Sequence, residues 1–331
     1  MSRLTVAIGI DSEQLLDELL GAQQLERLRG IAEVVAPERG SGRLPDGAAD
    51  AEVLLTGWGA PRLDAAVLDR LPRLRAVVHA AGTVKPIVSP ALWARGVRVS
   101  SAADANAVPV AEYSLAMILL AAKGVAAAET AYRATGDLTA SRPPARAGAF
   151  GARVGLVGAS RIGRLVAERL RPFDLEVLLY DPSISALQAA VLGTAKVELD
   201  ELLLSSDVVS LHAPALPETD HMVGARQLAL MRDGATLLNT ARGRLVDTEA
   251  LVREVASGRL RAVLDVTDPE PLPLGHPLFS SPGVTLTPHV AGSLGNELRR
   301  IGRFAVDEIE GYAASGLLRG EVLELDLPRI A

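Results

Sequence analysis

Three polar residues each follow a hydrophobic run. Arg242 closes Leu237-Leu-Asn-Thr-Ala-Arg242-Gly243, Glu270 lies in Leu264-Asp265-Val-Thr-Asp-Pro-Glu270-Pro271, and His289 lies in Leu286-Thr-Pro-His289-Val-Ala-Gly292. In an open α/β sheet, ligands sit outside the carboxyl ends of the strands. A fixed planar cation, a carboxylate and an imidazole that titrates near neutral pH would therefore converge at one sheet edge. That combination suits anion binding with acid–base chemistry. None of the histidine, aspartate and glutamate spacings is that of a metal site, so no metal is expected.

An earlier segment supplies what such a site would work beside. Val154-Gly-Leu-Val-Gly158-Ala-Ser160-Arg161-Ile162-Gly163 reads as a strand running into a glycine turn and then a helix. Gly158 suits the tight turn, Gly163 allows close helix–strand packing, and the first helical N–H groups would hold a pyrophosphate. Asp181 ends the next strand about 20 residues on, where an acid binds the adenine ribose hydroxyls. A carboxylate there repels a 2′-phosphate, so the expected cofactor is NAD and not NADP. The fingerprint's middle glycine is replaced by Ser160, whose Cβ would displace the phosphate slightly or whose hydroxyl would donate to it.

The elements that must position these residues follow a βα rhythm. Leu4–Ile10, Glu52–Thr56, Arg75–His79 and Gly96–Val99 read as strands, with Ser12–Arg29 and Leu63–Leu71 as amphipathic helices between them. A long helix is expected from Pro109 to Lys123, followed by an irregular connection over Gly136–Gly151. The alternation restarts with strands at Arg153–Val157, Leu175–Tyr180, Asp207–Leu211, Ala235–Asn239, Leu260–Leu264 and Val284–Thr287, and an amphipathic helix at Leu294–Ser315 ends it. The expected class is α/β, with two Rossmann- or flavodoxin-like doubly wound parallel sheets and a cleft between them. A chain of 331 residues is long enough for two such domains.

Composition narrows the partners. A net charge of −6 with scattered arginines offers no basic surface for nucleic acid or anionic lipid. No uninterrupted apolar run approaches the ~20 residues needed to cross a bilayer, and the N-terminus has no signal-peptide h-region. The chain has no cysteine, which excludes disulfides and thiolate chemistry and fits a reducing, cytoplasmic location.

With Gly158–Gly163, Asp207-Val-Val-Ser-Leu-His212-Ala213-Pro214, Asn239–Asp247, Asp265–Pro271 and Leu274–Gly292 in one order, and Asn106 and Val110-Ala-Glu112 before them, the chain resembles the D-isomer-specific 2-hydroxyacid dehydrogenases. The resemblance implies a split substrate domain, residues 1–101 with 294–331, around an NAD domain at 102–293. It implies a homodimer through the Pro109–Lys123 helix and the loop after it. It also implies reversible hydride transfer between NADH and a 2-oxo acid, giving a D-2-hydroxy acid. Arg242 would grip the substrate carboxylate and polarise the C2 carbonyl. His289 would be general acid in reduction and base in oxidation, with Glu270 orienting the imidazole and favouring its charged form. Asp265 would contact the nicotinamide amide. His212, Ala213, Pro214, Thr219, Thr240, Ala241 and Gly292 would complete the cofactor's surroundings. Ala81, Gly82 and Thr83 would face the substrate, the last two offering backbone N–H groups to its carboxylate. Here the chain departs from the family: Thr83-Val84-Lys85-Pro86 stands where a second glycine and an acid are usual. Trp58 is either a wall of the substrate pocket or a packed surface residue. The remaining alternative is a non-catalytic NAD-sensing regulator on the same fold.

Overall fold

The computed structural model describes residues 3–10, 12–36, 44–45, 47–144 and 146–327. The chain divides into two compact units, Met1–Ala107 with Ser293–Ala331, and Val108–Gly292.

The first unit contains strands β1 (Leu4–Gly9), β2 (Ala32–Val35), β3 (Val53–Thr56), β4 (Ala76–His79) and β5 (Arg98–Ser101), and a two-residue strand from its C-terminal part. The five pair in parallel in the order β2-β1-β3-β4-β5, which is the flavodoxin-like winding. Both faces of the sheet are covered. Val6 and Ile8 of β1 point into a cluster with Leu19, Leu28, Ile301 and Ile309, while Ala7 points to the opposite cluster with Leu54, Leu68, Val77 and Leu92. Burial on alternate sides explains why these strands read as continuous apolar runs.

The second unit contains β6 (Ala152–Val157), β7 (Leu175–Tyr180), β8 (Ala195–Lys196), β9 (Val208–Leu211), β10 (Thr236–Asn239), β11 (Arg261–Leu264) and β12 (Val284–Leu286). All pair in parallel in the order β12-β11-β10-β9-β6-β7-β8. Counted within the unit, this is the dinucleotide-binding winding with the strand order reversing between β6 and β9. The strand β13 (Glu321–Val322) closes the first sheet, antiparallel to β5.

Several boundaries differ from the sequence expectation. The long helix runs Ala103–Lys123, six residues earlier than Pro109 suggested, and carries Pro109 inside it. Its start is fixed by Ser101, whose Oγ accepts from the Ala103 N–H, and by Ala102 and Ala105, which belong to the first unit's core. The division between units therefore falls inside this helix, not at residue 101. By length and composition the helix could span a bilayer, although the sequence has no apolar run of that length; Ala111, Ser114 and Ile118 are fully buried in the protein. The single helix expected at Ser12–Arg29 is two, Glu13–Leu19 and Gly21–Ile31. A further helix, Val125–Thr135, precedes the irregular connection.

Candidate functional site

At the strand-order reversal, β6 runs into Gly158, which has φ +103°. A Cβ at Gly158 would lie 2.6 Å from the Ala213 nitrogen, and one at Gly163 would lie 2.1 Å from the Gly158 oxygen. The turn thus closes so tightly on the backbone after β9 that only glycine fits, which is the cradle a dinucleotide requires. Ser160 caps the helix Arg161–Leu170, its Oγ accepting from the Gly163 N–H at 3.3 Å. Its backbone is in the extended region, so the Cβ is unstrained there. The hydroxyl proton stays available to an anion. Among the described residues, no partner takes the N–H groups of Ser160 and Ile162.

Ser160→Gly is therefore expected to weaken NADH binding by about 0.5–1.5 kcal/mol and to lower stability by only a few tenths of a kcal/mol. Fluorescence titration beside thermal melting checks both. Tighter binding by the variant would mean that the Cβ crowds the phosphate.

Asp181, after β7, is tied to the same turn. Its Oδ2 accepts from the Ala159 N–H at 2.7 Å, and Oδ1 accepts from the Ser183 N–H at 2.8 Å and from the Ser183 hydroxyl. Burial opposes its ionisation, but these bonds and nearby Arg164 outweigh it and hold Asp181 below the usual carboxylate range. The charge expected to select NAD is thus present, beside the turn. His212 follows β9 fully buried, with Nε2 2.9 Å from the Ser210 Oγ, and burial pushes it down to about 4. Its neutral ring is structural, and it packs against Gly163. Thr219 turns its hydroxyl onto its own loop, donating to the Pro214 carbonyl at 2.6 Å. The Thr240 hydroxyl lies 3.1 Å from that of Ser114, and Ala213 and Ala241 are buried.

Beyond β10, Asn239 builds the turn that presents Arg242. Its Oδ1 accepts from the Ala241 N–H and its Nδ2 donates to the Arg242 carbonyl at 2.8 Å. Gly243 is packed so closely that a Cβ would meet the Thr267 oxygen at 2.0 Å. This couples the arginine turn to the segment that carries Glu270. Burial presses the Arg242 guanidinium below its ordinary value while the Glu270 charge supports it. The His289 Nδ1 lies 2.6 Å from the Glu270 Oε1, and both side chains are partly exposed. The ring's Nε2 is left to face a ligand. Arg242, Glu270 and His289 are thus brought together as the strand ends implied.

Asp265 is only 2% exposed and its carboxylate serves the histidine loop: Oδ1 accepts from the Thr287 hydroxyl at 2.6 Å and the Val290 N–H at 2.8 Å, and Oδ2 from the Ala291 N–H at 2.9 Å. Gly292 follows directly. Neither Asn239 nor this use of Asp265 was foreseen; the only signal was an amide or acid at the end of an apolar strand.

In the first unit, the loop after β4 holds Ala81, Gly82 and Thr83. The Ser101 hydroxyl lies 3.2 Å and 3.1 Å from the Ala81 and Gly82 carbonyls, and a Cβ at Gly82 would touch Asn106 at 2.9 Å. Asn106 in turn accepts from the Ser293 N–H at 3.0 Å, joining the two chain segments that leave this unit. Among the described residues, the N–H groups of Ala81, Gly82 and Thr83 have no partner, which suits a carboxylate. His79, unassigned by sequence, anchors this loop. Its Nδ1 lies 2.9 Å from the Thr56 Oγ1, and its ring hydrogen-bonds the Thr83 backbone. Trp58, which follows β3, is 43% exposed.

Fold and site together define a two-unit α/β protein with a dinucleotide-binding sheet and an Arg–Glu–His cluster at its strand ends. Residues 115–291 match the family model described as D-isomer specific 2-hydroxyacid dehydrogenase, NAD binding domain. The chain is 36% identical over 262 residues to D-3-phosphoglycerate dehydrogenase of Mycobacterium tuberculosis, covering 78% of this chain and 49% of that one. It is 33% identical over 273 residues to glyoxylate reductase of Thermofilum pendens, covering 80% of each. The crystal structure of TT0316 protein from Thermus thermophilus superposes with a TM-score of 0.71 at 34% identity, covering 97% of this chain and all of that one. The chain belongs to the D-isomer specific 2-hydroxyacid dehydrogenase family, and its second unit is that family's NAD-binding domain. It spans about half the length of the mycobacterial phosphoglycerate dehydrogenases it matches.

Proposed function

We propose that this protein reduces a small 2-oxo acid to the D-2-hydroxy acid with NADH, reversibly. The observation that carries the reading is the His289–Glu270 pair beside a partly buried, charged Arg242 in the NAD-binding unit. Gly158, Ser160, Gly163 and Asp181 would hold the dinucleotide, which when bound supplies the hydride to the carbonyl carbon. Arg242 grips the substrate carboxylate and polarises the C2 oxygen. His289, its Nδ1–H directed at Glu270, releases the Nε2 proton to the oxygen as negative charge develops there. In the reverse direction the same nitrogen takes that proton back. The non-catalytic alternative draws no support from the site, because a protein that only sensed NAD would need neither the arginine nor the imidazole–carboxylate pair.

The expected result is consumption of NADH in preference to NADPH when a panel of small 2-oxo acids is supplied. Equal use of NADPH would overturn the role given to Asp181.

The assembly we infer is a homodimer. Leu120, Val125, Tyr132, Leu138 and Phe150 are large apolar side chains exposed within one stretch of the NAD-binding unit, and Val125, Tyr132 and Leu138 line one shallow groove there, as an interaction surface would. Light scattering at micromolar concentration is expected to give twice the chain mass of 34.6 kDa; a monomer would contradict it.

A further inference from the structure

The loop that presents His289 is held against its own preference. His289 has φ +55°, a left-handed conformation costly for a residue with a side chain. Such a geometry persists only where the surroundings over-determine it. Asp265 does so by binding the N–H groups of Val290 and Ala291 with its carboxylate, while its own carbonyl accepts from the His289 N–H at 3.0 Å.

The carboxylate is in turn fixed from outside the loop. The Thr287 hydroxyl has one proton, and at 2.6 Å it is given to Asp265 Oδ1. The Tyr113 hydroxyl lies 2.8 Å from the Thr287 Oγ1 and must therefore be the donor of that contact. Burial raises Tyr113 above its ordinary value, which keeps the phenol protonated. Tyr113 sits on the helix Ala103–Lys123, beside Ala111 and Ser114, which are fully buried, so the base of the chain is anchored.

We propose that Tyr113 is a positioning residue for proton transfer, aiming His289 through the hydrogen-bonded chain Tyr113–Thr287–Asp265. The inference rests on the dehydrogenase reading. Tyr113 acts by donating to Thr287, which orients the threonine proton toward Asp265 and confines the carboxylate that binds the two amides after His289. The proton that reaches substrate comes from the imidazole alone.

The test uses the full chain and the variants Tyr113→Phe, Thr287→Val, Thr287→Ser and the Tyr113→Phe/Thr287→Val double variant. Tyr113→Phe is expected to lower kcat about 3–10-fold, the kinetic equivalent of one lost hydrogen bond, with KM for the 2-oxo acid and the thermal midpoint nearly unchanged. Thr287→Val is expected to lose more, Thr287→Ser to keep most activity, and the double variant to be no worse than Thr287→Val, because the two residues act in series. A second readout needs no turnover. In resting protein labelled at histidine, the His289 ring signal, assigned by its disappearance in His289→Ala, is expected to shift or broaden in Tyr113→Phe while the other four histidines stay put. Wild-type kcat in Tyr113→Phe overturns the proposal, as does a multiplicative double variant. An unmoved His289 signal does so too. If the wild type reduces no 2-oxo acid, the dehydrogenase reading fails, and the ring signal alone decides whether Tyr113 positions His289.

Discussion

His289→Ala is expected to reduce turnover of a 2-oxo acid by about 10²–10⁴-fold, the range for removal of a general acid, while NADH affinity stays within about twofold. As hydride reaches the carbonyl carbon, its oxygen becomes an alkoxide and needs a proton at neutral pH. Among the residues gathered at the strand ends, Arg242 cannot give up a proton, and Glu270 is engaged with the ring. The imidazole Nε2 is the remaining donor, and Glu270 fixes which nitrogen faces outward. Glu270→Gln keeps a hydrogen-bonding partner but removes the charge opposite the imidazolium, so it should cost less than His289→Ala. Steady-state kinetics with a fluorescence titration of NADH checks both variants. A His289→Ala enzyme with wild-type turnover would place the proton donor elsewhere.

Mild acid is expected to destabilise both units well before the carboxylates titrate. His79 in the first unit and His212 in the second are buried, and burial pushes each from 6.5 down to about 4; the Thr83 backbone partly offsets this for His79. Above pH 6.5 both the folded and unfolded chains hold neutral rings. Between 6.5 and 4 the unfolded chain binds protons that the folded one refuses, so stability falls as pH falls. Below 4 both states are charged and the loss is complete. The displacement from 6.5 to about 4 corresponds to about 3 kcal/mol for each histidine. Urea unfolding from pH 7.5 to 4.5 reads this directly. Trp58 and Trp93 both lie in the first unit, so tryptophan emission reports His79, and far-ultraviolet circular dichroism reports both. Stability flat over that range would contradict the burial of the two rings.

Much of this was legible in the sequence, for physical reasons. The core strands of both sheets are buried on two faces and announce themselves as apolar runs. The glycine turn could be read because Gly158 and Gly163 answer to steric demands that no other residue meets, and Ser160 because caps are local. The strands β2, β8 and β13 escaped notice because edge strands of two to four residues, half exposed, carry little pattern. The helix start was missed because Pro109 is favoured at first turns, whereas the burial of Ala102 and Ala105 extended the helix past it. Arg242, Glu270 and His289 were visible as polar residues at strand ends. Their supports were not: Asn239, Thr287 and Tyr113 act through contacts that span up to 174 residues of chain, and no local pattern encodes which hydroxyl will meet which carboxylate.

The Arg242–Glu270–His289 cluster is proposed to carry out hydride-transfer chemistry on a 2-oxo acid. The most direct measurement incubates the protein with NADH and each member of a broad 2-oxo acid panel, following NADH absorbance and resolving the product on a chiral column. At least one acid is expected to be reduced mole for mole with NADH, and every chiral product to be the D isomer. Tight NADH binding with no acid consumed, or an L product, would contradict it.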